Sequence, residues 1–333
     1  MKQANVYLLA LSLLAFSSCL SSGKTAEKEI RKEVEQPKKV EIAFSADSAY
    51  YYTEKQCSFG PRVLESKAHD KCVEFMVAKL KEFGGDVDVQ KCQVIDWEKK
   101  SRKAENVIAH FGDDSFANRI VLFSHYDSRP YADKDADSST RLNPIDGAND
   151  GASGVGVILE IARQWKDCNP KFGLDVVFFD AEDLGEPSFI TGNSANESWC
   201  LGSQYWSANT DFSKYKKPCA GILLDMVGDK DARFCIDYVS NQYANDLALK
   251  VWKNARNLGY SEMFRTDANG AGLIDDHYYV NMLAGIPTID IIDYYDPRGG
   301  FPKTWHTHND VMDNISKSTL EAVGKTVLSY IMR

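Results

Sequence analysis

The 333-residue sequence has no basic excess: 48 acidic residues outweigh 39 basic ones, for a formal net charge of −9. A nucleic-acid surface needs a basic face to grip phosphates, so that class is disfavoured. No apolar run approaches the roughly 20 residues of a membrane-spanning helix. The one candidate, Val6 to Phe16, is too short. Nor is there a CxxC pair, and an odd seven cysteines follow Cys19. That argues against a thiolate zinc site, leaves any disulfides unassignable, and makes small buried hydrophobes of most of the seven. From Phe44 on, internal repeats, low-complexity tracts and Pro/Gly-rich linkers are all missing, so residues 44–333 read as one domain with decorated loops.

With 44% apolar and 26% charged residues the chain can bury a sizeable core. Lys2, the apolar segment and Phe16-Ser17-Ser18-Cys19 have the layout of a secretory signal over residues 1–19. The same run resembles a bacterial lipoprotein box with Cys19 as the lipidated first residue, although Phe16 stands where leucine is more usual; a plain cleaved signal is the other reading. The Lys/Glu-rich stretch over residues 20–43 is expected to be a polar tether. The protein is therefore expected to be exported, periplasmic or membrane-anchored, with the lipid as its only membrane contact.

Four short apolar runs carry the architecture: Ile120 to Phe123, Val176 to Phe179, Ile222 to Leu224, and Pro287 to Ile292. Most are too continuous for half-exposed strands and suit a sheet covered on both faces. Helical spacing appears between them, at Val155, Ile158, Leu159 and Ala162 and again at Leu247, Val251 and Ala255. A helix from about Ser66 to Phe83 precedes the sheet, and another from Ser316 closes the chain. Alternation of this kind predicts an α/β fold, a mostly parallel sheet with helices on both faces, whose functional groups gather beyond the carboxyl ends of the strands.

The strand exits obey that rule. The first run leads into Ser124-His125-Tyr126-Asp127, the second into Asp180-Ala181-Glu182-Asp183, and the third into Asp225-Met226-Val227-Gly228-Asp229. Any one acidic residue after a strand is ordinarily a cap or turn former. The joint set is harder to dismiss: His125, Asp127, Asp150, Glu182, Asp183, Asp225, Asp275, Asp276 and His306 fall where they can meet at one sheet edge. Carboxylates at that density repel one another, and a cation is the simplest remedy. Oxygen and imidazole donors without thiolates suit catalytic zinc.

These residues form recognisable segments. His125-Tyr126-Asp127-Ser128, Gly147 to Gly154, Phe178 to Asp183, Leu201-Gly202-Ser203 and the upstream Phe59-Gly60-Pro61-Arg62 with Ser66 resemble the zinc-dependent aminopeptidase-like fold. Leu224 to Gly228, Asp275-Asp276-His277 and Trp305-His306-Thr307 resemble, more narrowly, the animal-type glutaminyl cyclases and their bacterial relatives. The likeness runs from about Phe59 to the end.

The resemblance implies that Asp150, Asp183 and His306 bind one zinc per chain. It makes Glu182 the general acid/base, Asp225 and Asp275 the further carboxylates of the site, and Trp305 the substrate-side tryptophan. Asp183 departs from the animal pattern, which usually has glutamate there. The loop Leu184 to Trp199 also differs, so the resemblance assigns the role of the animal enzymes' second substrate aromatic to neither Phe189 nor Trp199. The implied reaction converts an N-terminal glutamine of peptides and proteins to pyroglutamate with loss of ammonia. In that scheme Asp225 and Asp275 share a proton.

His277 reads equally well as a satisfied histidine or a site member, and His308 as a solvent-facing neighbour. His125, with Asp225, matches the second-zinc ligands of the peptidase relatives. The main alternative is thus a two-zinc aminopeptidase, and a further one is a noncatalytic binding lipoprotein on the same fold. For the anchor the expectation is direct: protein from its native host begins at a lipid-modified Cys19, and Cys19→Ala releases it or blocks processing. An unmodified terminus elsewhere, found by mass spectrometry, contradicts the lipoprotein reading.

Overall fold

The four apolar runs become the parallel strands of a six-stranded sheet, three of them inner and the last at its edge. The computed structural model describes residues 43–113, 115–190, 198–268, 270 and 272–332. The expected signal segment, and all of the expected tether except Ala43, lie outside them. In chain order the elements are α1 (Ala46–Cys57), α2 (Lys67–Glu82), β1 (Asp86–Ile95), β2 (Ser101–Phe111), β3 (Arg119–His125), α3 (Ala152–Trp165), β4 (Gly173–Phe179), α4 (Leu201–Asn209), β5 (Ala220–Asp225), α5 (Tyr238–Asn257), α6 (Asp276–Tyr279), β6 (Thr288–Ile292) and α7 (Lys317–Ile331). The strand order is β1-β2-β4-β3-β5-β6, with β4, β3, β5 and β6 parallel and the β1–β2 edge antiparallel. This is the mixed, mostly parallel sheet expected.

Strands β3, β4 and β6 are buried at every residue. The period-2 alternation of strand side chains explains why such strands read as unbroken apolar runs. Ile120, Leu122, Val176, Phe178, Ile222 and Leu224 face one core with Val155, Ile158 and Leu159 of α3 and with α7. Their neighbours Val121, Phe123, Val177, Phe179 and Leu223 face the opposite core, closed by Trp206 of α4 and by Val280 and Ile286. Two of the expected helix starts carry side-chain caps: the Ser66 side chain accepts from the His69 N–H and that of Ser316 from the Thr319 N–H.

Among the elements that escaped the sequence reading are β1, β2 and α1; α4 was read only as the motif Leu201-Gly202-Ser203. Strand β1 alternates Asp86, Asp88 and Gln90 with small apolar residues and buries only Cys92 and Val94, as an edge strand does. β2 pairs with it through the turn at Asp96 to Lys100. α1, rich in tyrosine and polar residues, packs against α3 rather than the sheet.

Helix α3 is apolar on nearly every side because it lies between the sheet, α1 and α7. Its Gly154 sits so close to the sheet that a Cβ would lie 2.2 Å from the Leu224 carbonyl oxygen and 2.4 Å from Ser124 Oγ. Helix propensity alone favours Gly154→Ala by about 1 kcal/mol. Overpacking against main chain costs about 1–3 kcal/mol and wins. Gly154→Ala should therefore lower the urea midpoint; an unchanged or raised midpoint would show that the helix can move away from the strand.

Candidate active site

The chain runs from β3 to β4 on one side and then crosses back to β5 on the other, so the strand order reverses around β3. A crevice opens beyond the carboxyl ends at such a reversal. His125 ends β3, Asp225 ends β5, Glu182 and Asp183 follow β4, Asp275 caps α6, and Asp150 precedes α3. Two buried groups shape the loop before α3. Arg62 donates to the carbonyls of Tyr126 at 2.8 Å, Asp146 at 2.6 Å and Gly147 at 2.7 Å. The Asp310 carboxylate accepts the backbone N–H groups of Asn149 and Asp150 at 2.7 and 3.1 Å. Asp127 does the same across the crevice, accepting the N–H groups of Glu182 and Asp183, both at 3.1 Å.

Asp150, Asp183 and His306 come together as expected. His306 Nε2 lies 3.3 Å from Asp183 Oδ1 and 3.6 Å from Asp150 Oδ2. Donors on a tetrahedron about 2.0–2.2 Å from zinc stand roughly 3.3–3.6 Å apart, so these spacings suit a shared ion. The second Asp183 oxygen, Oδ2, and Asp150 Oδ2 are buried without a hydrogen-bond partner, which fits the same ion. The shorter Asp183 side chain still reaches, because Asp127 holds its N–H and Arg129 its carbonyl at 2.8 Å. Burial alone would raise the Asp183 pKa, but His306 and Arg129 overcome it and hold the carboxyl below its usual range. On its other side the His306 ring bonds Asp133 Oδ1 through Nδ1 at 3.1 Å, and Asp133 is itself paired with Arg129.

His125 makes contacts of a different length. Its Nε2 is 3.0 Å from Asp150 Oδ1 and 3.1 Å from Asp225 Oδ1, which are hydrogen-bond distances. A nitrogen of its ring also falls within 4.8 Å of carboxylate oxygens of Asp150 and Asp183. Burial opposes a charged imidazole, yet Asp127, Asp150 and Asp225 together raise the His125 pKa well above its ordinary value.

Glu182, Asp225 and Asp275 line one cavity of about 370 Å³ with Asp150, Asp183 and His306. Burial first and the Asp183 charge second raise the Glu182 pKa well above the usual carboxylate range. Asp225 bonds His125, and Asp275 has an oxygen within 4.8 Å of one of Asp290 on β6. Burial and the neighbouring Asp275 push the Asp290 pKa well up. Asp276 is fully buried below the cavity floor. His277 lies behind Asp290, with Nε2 3.1 Å from Asp237 Oδ1, and does not line the cavity. His308 bonds Asp135 at 2.9 Å on the outside.

The aromatic wall is wider than the sequence reading allowed. Trp305 stacks on His306 at 4.0 Å and on Phe301 at 4.3 Å. Trp199 also lines the cavity, parallel to the His306 ring at 6.1 Å, with the Arg129 guanidinium over it at 4.4 Å. Gly185 makes room for it, since a Cβ there would fall 1.7 Å from the indole. Phe189 packs on Tyr131 instead. Trp199 directly precedes the Cys200 to Ser203 segment, and Ile274 and Phe301 neighbour expected site residues; those positions were the available signals. Asp290 could have been found as the lone carboxylate inside an apolar run. Nothing in the pattern pointed to Asp133.

A parallel sheet with a histidine- and carboxylate-lined crevice at its reversal point, able to hold a divalent metal, defines an aminopeptidase-like metalloenzyme class. Residues 106–331 match the model of Peptidase family M28, and the chain belongs to that family. It is similar to the crystal structure of Bacteroides thetaiotaomicron glutaminyl cyclase bound to N-acetylhistamine, at 46% identity over 88% of this chain and 99% of that one, TM-score 0.84. It is as similar to a structure described as a leucine aminopeptidase precursor from Bacteroides thetaiotaomicron VPI-5482, at 46% identity over 88% and 98% of the two chains, TM-score 0.83. Among curated relatives, Aminopeptidase YwaD of Bacillus subtilis (strain 168) is 26% identical over 220 residues, 64% of this chain, and glutaminyl-peptide cyclotransferase of Bos taurus 22% over 252 residues, 69% of this chain. The chain spans 40% of the first relative's length and 66% of the second's.

The Asp133 contact makes a measurable claim. A carboxylate on the far nitrogen of a ligating imidazole fixes the ring and strengthens it as a donor, and its loss typically costs about 10–100-fold in metal affinity. Asp133→Asn keeps the shape and drops the charge. Zinc retention against a competing chelator should fall by about tenfold or more while the thermal midpoint stays near wild type. Undiminished retention would remove His306 from the metal site.

Proposed function

We propose that this protein is a zinc-dependent glutaminyl-peptide cyclotransferase that closes the N-terminal glutamine of peptides and proteins to pyroglutamate. The observation that carries the reading is the placement of Asp225 and His125. Both atoms of that contact are engaged at hydrogen-bond distance, with His125 Nε2 shared between Asp150 and Asp225. Among the described residues His125, Asp150 and Asp183 are also close enough together to share an ion, but Asp150, Asp183 and His306 line the small aromatic-walled cavity and His125 does not.

A zinc ion held by those three would supply Lewis-acid polarisation of the glutamine γ-carbonyl. The α-amine is the nucleophile, and near pH 7 it is mostly protonated. Once it is free, its nitrogen bonds to the γ-carbon and the bond from that carbon to the amide nitrogen breaks. Glu182 takes the amine's proton and returns it to the departing nitrogen, which leaves as ammonia. A carboxylate whose pKa is raised suits both halves of that transfer. Asp275 keeps Oδ2 unpartnered, so it can orient a substrate N–H, as can Asp225, which lines the same cavity. Trp305, Phe301 and Trp199 surround the glutamine side chain and keep out water, whose attack would deamidate rather than cyclise.

The competing reading is a two-zinc aminopeptidase, supported by the nearness of His125 to Asp150 and Asp183. The two differ in stoichiometry and in the work of Glu182. Active protein should carry one zinc per chain, and Glu182→Gln should keep that zinc but lose about 10²–10⁴-fold in turnover, because an amide cannot carry the proton. Two zinc ions, both needed for activity, would favour the peptidase. The proposal also places the enzyme outside the cytoplasm on a lipid anchor at Cys19, where peptide amino termini are its partners.

A further inference from the structure

The reaction above gives Cys200 no task, yet its side chain touches Glu182. Cys200 is fully buried immediately before α4. Its Sγ lies 3.3 Å from Glu182 Oε1, and its backbone N–H donates to the Glu182 carbonyl at 2.9 Å. Asp275, the substrate-side carboxylate, has an oxygen within 4.8 Å of both. The residue is held at φ 56, ψ 34, the left-handed region that glycine adopts most readily. Glycine would relax the backbone and keep the N–H contact; what cysteine adds is the thiol. Burial first, then the carboxylates of Glu182, Asp276 and Asp275, push that thiol well above its ordinary pKa. It therefore stays S–H, the donor form, and inert as a nucleophile.

We propose that Cys200 is a positioning residue for Glu182: its backbone N–H holds the Glu182 main chain through the carbonyl, and its S–H donates to Oε1 so that the other carboxylate oxygen meets the substrate amine. A thiol is a weak donor, so it sets the geometry without stabilising the charged carboxylate as strongly as a hydroxyl or amide would. Basicity at Glu182 is thereby retained. The kinetic part of this inference rests on the cyclase reading, whereas the thiol–carboxylate contact stands by itself.

The test uses the full-length zinc-loaded protein and two substitutions. Cys200→Gly removes the donor where glycine is the least strained residue, so its thermal midpoint should equal or exceed wild type while kcat for a glutamine-led peptide falls about tenfold with little change in KM. Cys200→Ser restores a donor and should recover most of the lost turnover. In the infrared, the S–H band that disappears in Cys200→Gly should lie at hydrogen-bonded frequency in wild type and move to the free-thiol position in Glu182→Ala. An unchanged kcat in Cys200→Gly, a serine variant no better than glycine, or an S–H band indifferent to Glu182→Ala would overturn the proposal. Should wild type fail to turn over the glutamine-led peptide, the cyclase reading fails, and the infrared band still decides the contact.

Discussion

Mutual repulsion among buried carboxylates is the constraint that organises this molecule. Asp127, Asp150, Asp183, Asp225, Asp275, Asp276 and Asp290 are all buried at or beneath one sheet edge. Two like charges about 4 Å apart cost roughly 4 kcal/mol at an effective dielectric of 20, which is comparable to a large part of a domain's net stability. Several are relieved by a specific device. Asp127 takes two backbone N–H groups, Asp225 takes His125, and Asp183 takes His306 and Arg129. Among the oxygens left over, those on Asp150, Asp183 and Asp275 belong to residues that line the cavity where an ion and a substrate amine would go.

The same constraint separates the two halves of the site chemically. On one side Arg129 helps hold the Asp183 carboxylate ionised, as an oxygen donor must be, and Asp133 orients the ring of His306, which binds a metal as the neutral imidazole. On the other, away from those cations, burial raises Glu182, Asp275 and Asp290 and favours proton exchange. Arg129 also carries Trp199 on its guanidinium face, so one buried cation fixes the donor charge and part of the cavity wall together.

Much of this was legible in the sequence because burial leaves a periodic trace. β3 to β6, α2, α3, α5 and α7 appeared as apolar runs or helical spacing, and the strand exits supplied His125, Glu182, Asp183 and Asp225. The edge pair β1 and β2 was not legible, since strands with one wet face and many charges resemble loops. Trp199 was hidden because its placement depends on the room at Gly185 and on the Arg129 guanidinium rather than on local pattern.

The most direct measurement offers the zinc-loaded protein a glutamine-led peptide and a leucine-led peptide side by side, following ammonia and the state of each amino terminus. Ammonia and a blocked pyroglutamyl terminus from the first, with the second intact, is the expected result. Free leucine from the second without ammonia from the first would contradict a site built around one metal, one proton carrier and a pocket for the glutamine side chain.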